Sequence, residues 1–283
     1  MQRHVDAWLR SAEPARSALR AERAGGSGFA QTALVFDEQG VAAFVKWGAE
    51  REVFEAEALA LVRLAGSGTL RVPGRPAVLE GPNGLIMEGI PRGEKDLRFD
   101  RRLGRGLARL HRACESERFG FEVPTFLGAT RQANDWLADW SEFFLSRRLE
   151  PLLRAVRGRS DRLDGLAESL LRRARDLLEP LAPTPRLVHG DLWSGNVLCD
   201  ERGEPVLIDP AACYAHHELE LGMTSLFGGF GRDFYDSYHE VLPRDPGTSD
   251  RVALYRLLHL LNHVSLFGGS YLPQCLDLAR RLC

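Results

Sequence analysis

The sequence predicts an α+β protein with two unequal lobes, a small N-terminal lobe built on an antiparallel sheet and a larger, mainly helical C-terminal lobe. Two pairs of short β-prone runs, each pair joined by turn residues, lie before residue 90. Apolar residues at helical spacing fill most of the remainder. Because single hydrophobic cores stop growing near the chain length of 283 residues, we expect one lobe over residues 1–90 and another over residues 91–283.

The N-terminal lobe is predicted to start with a helix over residues 3–23, which stops at a glycine-rich turn over residues 25–28. The β-prone runs over residues 32–36 and 41–45 flank a short polar turn, so they predict a hairpin. Lys46 directly follows the second run and is one of only two lysines in the chain. This scarcity makes Lys46 easy to single out as a functional candidate.

A second helix is predicted over residues 49–64, where apolar and acidic residues mix at nearly helical spacing and Glu57 lies inside. The apolar runs over residues 77–79 and 85–87 flank a turn rich in glycine and proline, which predicts a second hairpin. The boundary between the lobes is expected directly after this hairpin, at residues 88–91.

The C-terminal lobe is predicted to be helical except around one segment of strands and turns. Three segments have apolar residues at helical spacing with arginine-rich outer faces: residues 97–114, 132–153 and 162–181. Residues 187–209 return to strands and turns, and residues 217–283 are again mostly helical. The sequence has no internal repeat that would indicate a solenoid.

Composition and net charge limit the kinds of binding partner and the cellular compartment that we expect for this protein. The net charge of -2 gives no electrostatic footprint for nucleic acid or an anionic membrane, and no apolar run approaches a membrane span. The five cysteines are scattered and form no C-x-x-C pair, so neither a disulfide framework nor a zinc site is expected. A cytoplasmic protein fits these features, while the oligomeric state stays open.

The most informative segment is residues 189–198, which read His-Gly-Asp-Leu-Trp-Ser-Gly-Asn-Val-Leu. Asp191 and Asn196 lie five residues apart on a non-periodic loop, a spacing that lets a carboxylate and a carboxamide converge on one site of phosphoryl transfer. The hairpin that follows would return Asp209 beside Asn196, and two oxygen ligands would then share one Mg²⁺ ion. Asp191 is the candidate catalytic base.

Transfer of phosphate from ATP also requires groups that hold the phosphates. Lys46 would contact the α- and β-phosphates, and Glu57 would pair with Lys46. The backbone of residues 26–28, with Gly26 and Gly28, would cover the phosphates, although this turn lacks the full G-x-G-x-x-G pattern. Glu88, at the lobe boundary, is a further candidate for nucleotide binding. Each of these residues could be structural when it is considered alone. Taken together, their order along the chain is specific for phosphoryl transfer.

Further segments resemble one known family. They lie throughout the chain: residues 54–58, 110–112, 119–121, 134–136, 189–196, 209–211, 226–230 and 261–268, with Tyr271. With these segments the chain is similar to the fructosamine kinase family, also called ketosamine-3-kinases, within the wider aminoglycoside-phosphotransferase-like group. The resemblance implies a protein-kinase-like fold and ATP-dependent phosphorylation of the 3-hydroxyl of a sugar attached to an amine. It leaves open whether the acceptor is a small ketosamine or a glycated protein lysine.

The resemblance also indicates residues for the acceptor. Trp193, two residues from the candidate base, offers an indole face that can stack on a sugar. Glu218 lies where the family places polar residues near the acceptor pocket. The aromatic residues Phe227, Phe230 and Phe267 are interpreted instead as core residues.

Residues 220–223, Glu-Leu-Gly-Met, depart from the Asp-Leu-Ala-Met run that is usual in the family, a change that bears on acceptor preference. Two alternatives accompany the ketosamine interpretation. One is a kinase for an aminoglycoside or another small hydroxylated metabolite, and the other is a pseudokinase that binds nucleotide without transfer. A pseudokinase would be expected to lack Asp191 or Asp209, and both are present.

Overall fold

The computed structural model describes residues 2–12, 18–24, 30–80 and 83–283. In the N-terminal lobe, two helices flank one sheet: α1 (Gln2–Ala12) and α2 (Arg51–Ala65). The sheet has five strands: β1 (Arg20–Arg23), β2 (Gln31–Asp37), β3 (Gly40–Trp47), β4 (Ala77–Leu79) and β5 (Gly84–Glu88). All neighbours are antiparallel, in the order β1-β2-β3-β5-β4. The two predicted strand pairs and the helix at residues 49–64 are confirmed.

Helix α1 covers the outer face of this sheet. Val5 and Leu9 are four residues apart and therefore share one face of the helix. They are buried in a cluster with the sheet residues Val35, Val45 and Ile86. The other face of the sheet is covered by α2 and by the C-terminal lobe, so both faces are shielded.

The strand register places Lys46 and Glu88 on opposite faces of the sheet. Lys46 is paired with Leu85, and Ala43 is paired with Glu88. Directly paired residues share a face, whereas successive residues along a strand alternate between faces. Because Lys46 and Ala43 are three residues apart, the side chain of Glu88 lies on the face that Lys46 does not use.

The C-terminal lobe is mainly helical. Its helices are α3 (Phe99–Ala113), α4 (Trp140–Phe144), α5 (Glu150–Ala155), α6 (Asp161–Leu178), α7 (Glu218–Thr224), α8 (Arg232–His239), α9 (Thr248–Phe267) and α10 (Leu272–Leu282). A π-helical segment, Leu145–Leu149, joins α4 to α5. Three antiparallel strand pairs complete the lobe: β6 (Thr125–Leu127) with β7 (Thr130–Gln132), β8 (Arg186–Val188) with β11 (Cys213–Ala215), and β9 (Val197–Cys199) with β10 (Pro205–Leu207).

One hydrophobic core runs through both lobes. Phe54 of α2 and Met87 of β5 belong to the same buried cluster as Leu107 of α3 and Leu258 of α9. Burial of such side chains is the main stabilising contribution to the fold. The predicted α+β class, with a small sheet lobe and a larger helical lobe, is confirmed. We propose the boundary at residues 90 and 91, between β5 and α3.

Two predicted helices differ from the structure. The first ends at Ala12, and residues 20–23, predicted as helix, form β1 instead. All four residues of β1 are exposed, so it is pairing with the backbone of β2 that outweighs their helix-like composition. The helix predicted over residues 132–153 begins only at Trp140, where the Asp139 carboxylate accepts the backbone N–H of Glu142. Residues 13–17, 25–29 and 81–82, which include parts of the two turns predicted from the sequence, lie outside the described residues.

Within the described ranges, no helix has both the length and the apolarity needed to cross a membrane.

The interior of the C-terminal lobe contains a buried network of histidines and tyrosines. Trp140 Nε1 donates to the Tyr255 hydroxyl, which lies 3.0 Å from His216 Nδ1 and can donate to it. The Tyr238 hydroxyl lies 2.9 Å from Nδ1 of both His111 and His217.

Burial keeps these histidines neutral. It lowers the pKa of His111 and His216 from 6.5 to about 3 and that of His217 to about 2, with smaller contributions from Arg186, Arg251 and the neighbouring histidine rings. Since the folded pKa lies below the unfolded one, the unfolded chain binds more protons at intermediate pH. Their contribution to stability is therefore complete above pH 6.5 and is lost as the pH falls towards 3.

We expect acid to destabilise the protein strongly. At pH 5 each of the three histidines should lower the free energy of unfolding by about 2 kcal/mol, roughly 6 kcal/mol together. This sum is comparable with the whole stability of many domains. Urea unfolding at pH 7 and pH 5 measures this difference in the free energy of unfolding. Between these two pH values, a His217→Asn variant should lose about a third less free energy of unfolding than the wild type does. An equal loss in the variant would show that His217 does not contribute.

Candidate active site

The catalytic loop follows β8 and carries Asp191. Gly190, immediately before it, has a φ of +82°, and a Cβ at this position would lie 2.2 Å from the carbonyl oxygen of Ala211. Both the backbone conformation and the close approach therefore require glycine. A short 3₁₀ turn, Ser194–Asn196, then leads into β9. The loop is thus fixed by backbone geometry on both sides of Asp191.

His189 joins the catalytic loop to the segment that contains Asp209. Its ring is fully buried, with Nε2 2.8 Å from the carbonyl oxygen of Ile208 and Nδ1 3.3 Å from the backbone nitrogen of Asp191. Nε2–H therefore donates to Ile208, and Nδ1 accepts from Asp191. Burial lowers the pKa of His189, which favours this neutral form. His189 is therefore a structural hydrogen-bonding residue of the catalytic loop.

Asp191 and Asn196 converge as predicted. The side-chain nitrogen of Asn196 donates to the backbone oxygen of Asp191 at 2.8 Å and to its carboxylate at 3.2 Å. Burial raises the pKa of the Asp191 carboxyl well above its usual range, and the negative charge of Asp209 adds to the rise. A carboxylate with a raised pKa is a better proton acceptor than an ordinary aspartate. This environment suits a general base.

Asp209 lies against Lys46 from the other lobe. Its carboxylate is 2.6 Å from Lys46 Nζ, and Glu57 of α2 is 2.7 Å from the same nitrogen. Burial by itself would lower the pKa of Lys46, but the two carboxylates outweigh it and the pKa is raised. Lys46 is therefore a firmly charged cation beside Asp209. The predicted pairing of Lys46 with Glu57 is present.

The backbone at Asp209 is in the left-handed region, with a φ of +57°. Non-glycine residues seldom adopt this conformation, although Asp and Asn tolerate it best. The carbonyl oxygen of Asn196 accepts the backbone N–H of Ile208, so β9 and β10 hold Asp209 next to the catalytic loop. Such conformations concentrate at functional sites.

The donor set fits a magnesium ion bound together with phosphates. Asn196 uses its side-chain nitrogen within the loop, which leaves its amide oxygen for a cation, and Asp209 supplies a carboxylate. In the described part of the chain, no group of three His, Cys, Asp or Glu side chains could hold a metal ion alone. Mg²⁺ commonly takes one or two protein ligands and completes its shell with phosphate and water.

Glu220 is a functional candidate that sequence reasoning missed. It lies on α7, is fully buried, and its carboxylate accepts the backbone N–H groups of His189 and Gly190. Burial raises its pKa, while these hydrogen bonds favour the charged form. Glu220 thereby holds the first part of the catalytic loop from inside the lobe. The only signal in the sequence was its position in the segment that departs from the family pattern.

An aromatic surface adjoins the catalytic loop. It consists of five rings in successive contact: Trp193, Phe227, His263, Phe267 and Tyr271. Trp193 is 38% exposed, Phe227 42% and Phe267 53%. The interpretation of Phe227 and Phe267 as core residues was therefore wrong, whereas Phe230 packs against the core as expected. Periodicity alone could not show that α9 ends with its aromatic residues facing solvent.

The loop that carries Phe227 is fixed against the catalytic loop. Gly229 has a φ of +90°, and a Cβ there would lie 2.5 Å from Cβ of Ser194. Only glycine allows this approach. His263 is oriented as well, because its Nδ1–H donates to the carbonyl oxygen of His259 at 2.7 Å and leaves Nε2 as an acceptor. The aromatic surface is thus held in place beside Asp191.

Three predicted residue groups are not brought to this site. The carboxylate of Glu218 is buried and pairs with Arg251 at 2.7 Å, so it does not reach the aromatic surface. The side chain of Glu88 lies on the opposite face of the sheet from Lys46 and pairs with Arg71. Gly26 and Gly28 lie outside the described residues.

Known proteins match nearly the whole chain. The family model for fructosamine kinase matches residues 1–282. A protein of Synechocystis described as a probable ketoamine kinase is 41% identical over 235 residues, which cover 81% of this chain and 78% of that protein. The ketosamine-3-kinase of Mus musculus is 33% identical over 304 residues, which cover 94% of this chain and 96% of that enzyme.

A solved structure supports the same relationship. The crystal structure of a protein assigned as a fructosamine-3-kinase from Thermobifida fusca superposes with a TM-score of 0.86 at 32% identity, and the match covers 98% of each chain. Sequence and fold therefore agree along nearly the whole chain. The chain belongs to the fructosamine kinase family.

Proposed function

We propose that this protein is a ketosamine-3-kinase, which transfers the γ-phosphate of Mg-ATP to the 3-hydroxyl of a sugar attached to an amine. The observation that carries this proposal is the convergence of two pairs of residues in a chain of this family. Lys46 meets Asp209 at 2.6 Å, and Asn196 meets Asp191 at 3.2 Å. These pairs provide the phosphate cation, the metal ligands and the base that phosphoryl transfer requires.

Each residue has one role in the proposed reaction. The acceptor hydroxyl oxygen forms a bond to the γ-phosphorus, the bond from that phosphorus to the β-γ bridging oxygen breaks, and ADP leaves. Asp191 takes the hydroxyl proton. Lys46 contacts the α- and β-phosphates and is oriented by Glu57, while the backbone of Gly26 and Gly28 covers the phosphates. Mg²⁺ would be held by Asn196 and Asp209, where it neutralises charge on the phosphates.

The aromatic surface supports a sugar linked to an amine as the acceptor. Trp193 is exposed two residues from Asp191, and an indole face packs well on the apolar face of a sugar ring. Nε2 of His263 offers an acceptor for a hydroxyl or amine hydrogen. The surface presents rings rather than carboxylates, which favours a ketosamine over a polycationic aminoglycoside.

The acceptors in the cell are proposed to be ketosamines such as ribulosamine, erythrulosamine or fructosamine adducts, either free or on protein lysines. Phosphorylation would make these adducts unstable, so the activity would repair early glycation. The aromatic surface is open, which leaves room for the rest of an amine beyond the sugar. We place the enzyme in the cytoplasm, where its free cysteines would remain reduced.

A panel of acceptors tests this function. We expect phosphate transfer from Mg-ATP to a ribulosamine and a fructosamine, and a kcat/KM at least about tenfold lower for an aminoglycoside and for the free sugars, since these lose the amine-linked part or its fit. The Asp191→Asn variant, purified in the same way, controls for contaminating kinases. Turnover of the aminoglycoside alone would replace the proposal by the aminoglycoside interpretation. ATP binding without turnover of any acceptor would favour a pseudokinase.

A further inference from the structure

A large cavity lies on the side of the N-terminal sheet that faces away from Lys46. Its volume is about 990 Å³, which is enough for a metabolite of moderate size. Glu88 lines it, and the strand register places the Glu88 side chain on the sheet face opposite Lys46. Asp191, Asn196 and Asp209 are not among its lining residues. The cavity is therefore separate from the candidate active site.

Both lobes contribute walls to this cavity. Val41, Ala42 and Gly89 come from the sheet and the linker that follows it, whereas α3 and residues 200–205 belong to the C-terminal lobe. A ligand in the cavity would consequently contact the two lobes at once.

Arginine dominates the lining. Seven arginines surround the cavity, five of them at the start of or along α3: Arg71, Arg98, Arg101, Arg102, Arg105, Arg109 and Arg202. Positions 98, 102, 105 and 109 are spaced by four, three and four residues, so they share one helix face. Like charges at this spacing repel each other. The cavity wall formed by α3 is therefore rich in guanidinium groups.

Carboxylates neutralise only part of this charge. Four acidic residues line the cavity: Glu88, Asp200, Glu201 and Glu204. Glu88 and Asp200 both pair with Arg71. Asp233, Asp96 and Glu240, which lie outside the lining, pair with Arg101, Arg102 and Arg105. Among the residues that the structure describes, part of the arginine charge at the cavity nevertheless stays without an ion pair.

Several guanidinium groups remain available to a ligand. Across the described part of the chain, the side chains of Arg98, Arg109 and Arg202 form no ion pair. Arg102, by contrast, is engaged within the protein: it bonds to Asp96 and to the backbone oxygen of Gly203, and its Nε lies 3.4 Å from the Glu204 carboxylate.

We propose that this cavity is a second binding site, which takes a small organic molecule with two or more phosphoryl groups. The planar guanidinium fork matches the geometry of phosphate oxygens, and several arginines along one helix can engage phosphates at separate points. Three lining guanidinium groups without an ion pair among the described residues suit a bisphosphate better than a neutral or singly charged molecule.

The cavity is connected to the active site through Arg71. Its guanidinium bridges Glu88 of the N-terminal lobe and Asp200 of the C-terminal lobe. Its backbone oxygen accepts the N–H of Leu207 in β10, two residues before Asp209. A ligand that holds the two lobes at this point should change the KM for ATP.

The test measures binding of fructose 1,6-bisphosphate by titration calorimetry at low salt, without ATP or acceptor. Arg98→Ala/Arg109→Ala removes two unpaired cavity arginines, and Arg172→Ala/Arg175→Ala removes two exposed arginines of α6 as a matched control. We expect the cavity variant to bind at least about tenfold more weakly than the wild type, because each phosphate contact is charge-assisted. The control variant should bind like the wild type.

Equal affinity of the cavity variant and the wild type, or no binding by the wild type, would overturn the proposal. Citrate and fructose are the comparison ligands. Citrate bound as tightly as the bisphosphate would refute the preference for phosphoryl groups. Because the assay needs no turnover, its outcome is independent of the proposed kinase activity, and equal melting temperatures of the variants establish that they fold.

Discussion

Asp191→Asn should lower kcat by about 10²- to 10⁴-fold while binding of Mg-ATP stays close to that of the wild type. The substitution removes the acceptor for the hydroxyl proton and keeps the volume of the side chain. The hydrogen bond from the Asn196 side chain can be kept through the amide oxygen of the new residue. The loss should therefore appear in kcat and hardly in the KM for ATP.

Stability gives an independent check on this variant. Burial raises the pKa of Asp191, which means that the charged carboxylate is unfavourable where it lies. A neutral asparagine should accordingly leave the melting temperature unchanged or higher. Asp236→Asn, which changes an exposed carboxylate of α8, is the matched control and should keep full activity. A kcat near the wild-type value in Asp191→Asn would refute its assignment as the base.

The second large effect is expected for Asp209→Asn, which should reduce both the affinity for Mg-ATP and kcat, each by at least about 100-fold. Asparagine is the informative replacement because it tolerates the left-handed backbone at this position better than alanine does. The change therefore replaces a charged metal ligand by a weaker, neutral amide oxygen and removes an anionic partner of Lys46 without adding backbone strain.

ATP affinity measured with and without Mg²⁺ separates the effect of Asp209→Asn on metal binding from the effect of removing one negative charge. In excess EDTA, where Mg²⁺ cannot contribute, the variant should bind ATP at least as well as the wild type, because one negative charge near the phosphates has been removed. In Mg²⁺ the wild type alone should gain affinity. If the metal strengthens ATP binding equally in both proteins, Asp209 is not a ligand.

Much of the fold could be predicted because, in these parts of the chain, the local sequence pattern favours the same structure as the tertiary packing does. The β2–β3 hairpin and α2 combine clear periodicity with clear turn residues, so the position of Lys46 and its pairing with Glu57 followed from the chain order. The spacing of Asp191 and Asn196 was similarly informative, since five residues on a glycine-containing loop leave few ways to converge.

Other features depend on contacts that are distant in the sequence. Residues 20–23 have the composition of a helix and form a strand only because β2 offers them an edge. Glu218 and Glu220 lie two residues apart, yet one pairs with Arg251 and the other holds the catalytic loop. Which partner each carboxylate meets is decided by how α7 packs against α9 and against the start of the catalytic loop, and no local sequence pattern indicates it.

Glu220 and Gly229 hold neighbouring parts of the site from opposite sides. Glu220 fixes the catalytic loop from the interior of the lobe, whereas Gly229 and the successive ring contacts fix the aromatic surface from outside. If the aromatic surface binds the acceptor, as we propose, the residues that select the acceptor are largely separate from those that transfer phosphate. Substitutions at Phe227, Phe267 or Tyr271 should then change the choice of amine while the transfer chemistry is retained, which would make this surface a natural place for divergence or directed evolution.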